Sequence, residues 1–214
     1  MEWTTANGGL AWSPADLRTT AGNAAYAYAI TDNLRVAGKA KFTLGGQFHA
    51  LVTVKNAGGI NKDADDKGTL PGGTSSEAWD VRDESGSVGW SYNSAGHKRA
   101  FFLNTDASQL IGDDELPHLP GVTISTYNSA ALGVNRYGQV VGWAQANSGA
   151  SRAFIYSPGL SGPTMIDLNA LLPGGSLWVL TSARSINDAG IIVGTGTLNR
   201  QSPRGWILYP NCQD

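Results

Sequence analysis

Acid, base and flat aromatic groups come close together at two places in this chain. "AYAYAIT" (25–31) carries Tyr26 and Tyr28, and "SEAWDVR" (76–82) carries Glu77 and Trp79. A carboxylate can donate or accept a proton, and aromatic planes can stack on sugar rings or other flat ligands. Arg184, in "TSARSIN" (181–187), adds a guanidinium for an anionic group, and Trp178 follows "LPGGSL" in a connection where a loop could present its ring. Familiar catalytic signatures are missing: there is no GxSxG, HExxH or Gly-rich phosphate loop. His49, His97 and His118 are scattered, and no cofactor is implied. "DADDKG" (63–68) places Asp63, Asp65 and Gly68 as a calcium loop would. Lys67 stands where a ligand is wanted, so solvated acid is the main reading and a surface Ca²⁺ the minor one.

These residues matter because they interrupt a repeat. "AITDNLRVAG", "DVRDESGSVG", "GVNRYGQVVG" and "SINDAGIIVG" end at Gly38, Gly89, Gly142 and Gly194, which lie 51, 53 and 52 residues apart. Each copy has a first strand of small and apolar residues, a turn, and a strand ending in Val-Gly or Ala-Gly. A third strand opens on His49, Arg99, Arg152 or Arg204, and a polar stretch closes on "LPGG" or "LPGV" in the first three copies. Three clear strands and a weaker fourth in about 52 residues is the size of a propeller blade.

The expected fold is therefore all-β: one domain, 1–214, forming a closed four-bladed propeller with repeats near 24–73, 74–122, 123–175 and 176–209. The last copy lacks a fourth strand. "GLAWSPADLRTTAGN" (9–23) matches the outer segment of the third copy, with Asp16-Leu17 where Asp167-Leu168 stands, and would supply that strand.

Composition narrows the setting. Among 214 residues, 15 Lys+Arg against 17 Asp+Glu give a net charge of −2, without a basic run for nucleic acid. No apolar stretch is long enough for a membrane span. A single cysteine, Cys212, allows no internal disulfide, and no signal peptide is visible at the start of the chain.

"INDAGIIVG" with "RGWILYP", and "VNRYGQVVGWAQANSGASRAFIYSPG" with "MIDLNALLPGG", resemble the HAF repeat family of extracellular bacterial proteins. The resemblance runs from Leu10 to Tyr209 and is weakest in the first copy. It implies a β-propeller-like build and a secreted or cell-surface setting, and no particular chemistry.

Positions that recur in every copy are structural: Ala27, Ala78, Ala131 and Ala183 on one strand face, and Ile30, Val81, Val134 and Ile186 as core on the other. Positions that vary are candidates for function. Tyr28, Trp79, Leu132 and Arg184 form one such column, and Tyr26, Glu77, Ala130 and Ser182 the column two residues earlier. Lining a central channel, they would hold a small-molecule or glycan-like ligand through Tyr26, Tyr28, Trp79 and Trp178. An enzyme is the alternative, with Glu77 as acid or base and Arg184 as anion stabiliser. Two structural readings remain: Glu77 paired with Arg184 as core filling, and a repeat protein that assembles with itself.

Overall fold

A computed structural model describes residues 24–53, 62–104, 107–159 and 164–210. The N-terminal segment 9–23, expected to complete the last repeat, lies outside them, as do the side chain of Asp63 and residues Trp3, Trp12 and Cys212.

Each repeat folds into its own small antiparallel sheet, with strands in chain order. The first sheet is β1 (Ala25–Ile30), β2 (Val36–Ala40) and β3 (His49–Val52). The second is β4 (Ser76–Arg82), β5 (Gly86–Tyr92) and β6 (Lys98–Asn104). The third has four strands, β7 (Ser129–Val134), β8 (Val140–Gln145), β9 (Ser151–Ser157) and β10 (Thr164–Asp167). The fourth is β11 (Trp178–Ile186), β12 (Ile192–Leu198) and β13 (Pro203–Leu208). Among the described residues, helix is confined to short turns such as α1 (Lys62–Asp65). Tight turns set the register of the hairpins. In three of them an Asn side chain accepts two backbone N–H groups: Asn93 from Ala95 and His97, Asn135 from Tyr137 and Gln139, Asn187 from Ala189 and Ile191.

The glycine that ends each repeat motif is required by close approach. Gly38, Gly89, Gly142 and Gly194 pair with Ala27, Ala78, Ala131 and Ala183. A Cβ on any of the four would sit 1.8–2.1 Å from the carbonyl oxygen preceding that alanine. The alanine column is small for the same reason.

Beyond that pair, every first strand carries a bulge. Pairing skips Tyr28, Trp79, Leu132 and Arg184 at the same column. One unpaired residue reverses the alternation of faces. Ala78 and Val81 consequently lie on one face, as do Ala131 with Val134 and Ala183 with Ile186. This corrects the sequence expectation, which put the alanines and the aliphatics on opposite faces.

The sheets stack in series. β4 packs on the first sheet, β7 on the second and β11 on the third. Ala37, Ala50 and Val52 meet Ala78 and Val81. Val88, Ala100 and Phe102 meet Ala131 and Val134. Val141, Ala153 and Ile155 meet Ala183 and Ile186. Polar links cross the first two junctions: Ser76 Oγ accepts from Ala50 N–H (2.7 Å), Ser129 Oγ from Ala100 N–H (2.9 Å), and Asp80 Oδ2 from Val134 N–H (3.0 Å). Among the described residues no comparable packing joins the fourth sheet to the first. Ile30, expected in the core with its column, is 62% exposed for that reason.

Candidate functional site

The four bulge residues define the place where the backbone repeats and the side chains do not. Each sits on the first strand of its sheet, and these strands neighbour one another in order: β1 on β4, β4 on β7, β7 on β11. Tyr28 and Trp79 stack, with centroids 4.8 Å apart and planes 19° from parallel. Leu132 is half-buried and Arg184 exposed. The Trp79 indole N–H is buried without an acceptor.

Next to the stacked pair lies an aromatic and basic cluster. β2 places Lys39 opposite Tyr26, and β5 places Trp90 opposite Glu77. Lys39 Nζ is 2.5 Å from Glu77 Oε1. It also lies 5.3 Å from the Tyr26 centroid and 5.0 Å from that of Phe48. Burial opposes the Lys39 charge, but the Glu77 carboxylate and the Tyr28 hydroxyl outweigh it and hold the ammonium above its ordinary value. Lys41 stands over Phe48 and Lys98 over Trp90, at 5.1 and 3.7 Å. Burial lowers the Lys98 ammonium, with Glu77 pulling the other way. Tyr26 and Tyr28 remain exposed on this cluster.

Sequence reasoning joined Glu77 to Arg184, but the structure gives Glu77 to Lys39. Arg184 instead lines a cleft of about 670 Å³ on the fourth sheet with Trp178, Leu180, Val193, Trp206 and Ile207. Trp178 was expected in a loop; it opens β11 and is half-buried. The candidates therefore fall into two groups: Tyr26, Tyr28, Glu77 and Trp79 on the first two sheets, Trp178 and Arg184 on the fourth. Lys39, Phe48 and Lys98 were missed, because only cross-strand register brings them to Glu77 and Tyr26.

The repeated basic column braces connections where it finds an acid or a carbonyl. His49 Nδ1 is 2.9 Å from Asp66 Oδ1. Buried Arg99 reaches Glu115 at 2.9 Å and donates to the carbonyls of Ser125 and Tyr127. Part of "DADDKG" forms α1, and the Lys67 ammonium donates to the Ala64 and Ala107 carbonyls. Among the described residues no cluster of three or more His, Cys, Asp or Glu could hold a metal ion, and no helix is long and apolar enough to cross a membrane.

No known protein family, curated protein or solved structure matches the chain.

Proposed function

We propose that the four sheets are blades of a propeller and that the protein is a secreted or cell-surface binding module of the HAF-repeat kind. Its ligand is small or glycan-like, held along the row of first-strand bulges. In this reading residues 9–23 add an outer strand beside β13. The supporting observation is the bulge column. Four identical backbone irregularities aim four different side chains, Tyr28, Trp79, Leu132 and Arg184, from one row. Bulges commonly re-aim side chains at sites, and a ligand that is not itself repeated requires unlike groups. The stacked Tyr28–Trp79 pair offers an apolar wall, and Lys39, Lys41 and Lys98 bias the neighbourhood toward ligands with anionic groups.

The enzyme alternative has less support. Its acid, Glu77, is engaged by Lys39, and no described contact brings Arg184 to it. Calorimetric titration with neutral and uronate-containing oligosaccharides tests the binding reading. A ligand lost on Trp79→Ala and Tyr28→Ala supports it. One bound equally well by both variants overturns it.

A further inference from the structure

The two ends of the stack are the unmatched halves of a junction the chain already makes three times. On the side facing the next sheet, Ala37, Val88 and Val141 are fully buried, as are Ala50, Ala100 and Ala153. The fourth sheet has Val193 and Gly205 in those columns, and they are exposed, Val193 by 40%. Val52, Phe102 and Ile155 complete the same face in the first three sheets; their counterpart Ile207 is 48% exposed. On the opposite, receiving side, Ala78, Ala131 and Ala183 are fully buried and Ala27 is exposed. Val81, Val134 and Ile186 are buried, and Ile30 is 62% exposed. The cleft on the fourth sheet includes Val193, Gly205 and Ile207 in its lining, the columns that a following first strand covers at each internal junction.

We propose that this cleft takes β1 of a second copy of the chain, so that two chains join head to tail at both ends. The proposal rests on the blade reading given above, though not on any ligand. Three junctions built from the same columns share one step. Four sheets at that step leave Ile30 and Val193 uncovered, so the chain's own first sheet does not fill the cleft. A second copy carries the matching half by construction: small Ala27 against Gly205 and Val193, and Ile30 beside Ile207. Two chains joined twice form a ring of eight sheets with twofold symmetry and no uncovered end, whereas a single junction would leave a chain open to further addition. The ring also sets Arg184 of one copy in the row next to Tyr28 of the other.

Analytical ultracentrifugation of the full chain and of Ile30→Asp and Val193→Asp tests this. Both positions are exposed within the single chain, so both variants should keep the native circular dichroism spectrum and melting curve at low concentration. The unmodified protein should sediment as a dimer at micromolar concentration, and each variant alone as a monomer. Mixing the two should give a dimer containing one of each, weaker than the wild-type dimer. It is held by the single junction in which both halves are unsubstituted, because the other junction carries both substitutions. A wild-type chain that stays monomeric throughout overturns the proposal, as does a dimer that survives both substitutions. The binding reading is tested apart from this by Trp79→Ala, a position in neither half of the proposed junction, so failure here is separate from failure of the binding reading.

Discussion

Tyr28 and Trp79 stack at 4.8 Å although they belong to different sheets, because each is the unpaired residue of a bulge at the same column. Their contact ties the candidate site to the junction between the first two sheets. Trp79→Ala should therefore remove a ligand wall and an aromatic pair worth about 0.5–1.5 kcal/mol. Arg184→Leu, at an exposed position, should weaken capture of an anionic ligand while leaving the melting temperature unchanged. Thermal melts run beside the oligosaccharide titration separate the two effects.

The alanine column predicts unequal costs for one substitution. Ala131→Leu overpacks a fully buried position between the second and third sheets and should cost about 1–3 kcal/mol. Ala27→Leu, at the exposed end of the same column, should leave denaturant unfolding of the dilute single chain unchanged.

Gly142 and Gly174 give a second contrast. A Cβ at Gly142 meets the Ala130 carbonyl oxygen at 2.1 Å, with the Ala131 Cα and the buried Phe154 ring each at 2.9 Å to prevent relief. Gly142→Ala should cost about 3 kcal/mol, at the upper end of overpacking penalties. Gly174 has open space around it, and Gly174→Ala should be neutral or slightly stabilising through the unfolded chain. Urea unfolding of both variants provides the check.

Asp80 predicts a pH dependence. Burial raises its carboxyl above the usual carboxylate range, against the opposing pull of the Val134 and Val81 N–H groups and Arg82. Between the ordinary value, about 3.9, and the raised one, the folded protein keeps a proton that the unfolded chain has released. This group's contribution to stability therefore declines as pH rises through that window and is flat above it. Asp80→Asn should remove that slope. It should also cost about 1–3 kcal/mol near neutrality, because one of two backbone donors loses its acceptor. Unfolding free energies measured across pH 3–8 test both.

Much of the architecture was legible in spacing alone. The glycine interval marked four units, and the first strands at Ser76 and Ser129 begin where small-residue patterning placed them. The alanine and glycine columns proved to be one another's partners. The bulge was hidden because it is a backbone event: Tyr28, Trp79, Leu132 and Arg184 share no side-chain chemistry that would announce it. Counting on by twos past that residue placed Ile30 and its column on the wrong face. The ion pair of Glu77 was hidden for a related reason. Lys39 reaches it from another sheet, and only sheet stacking and register determine that neighbour.

Because each sheet draws all of its described strands from one unbroken run of chain, synthesis and folding can proceed in the same order. β1 to β3 are complete before β4 leaves the ribosome, and β4 then emerges onto a face already built. No described sheet waits for a strand made later. A growing chain thus adds each new first strand to a face already built, while the face of β1 that carries Ala27 and Ile30 stays open throughout.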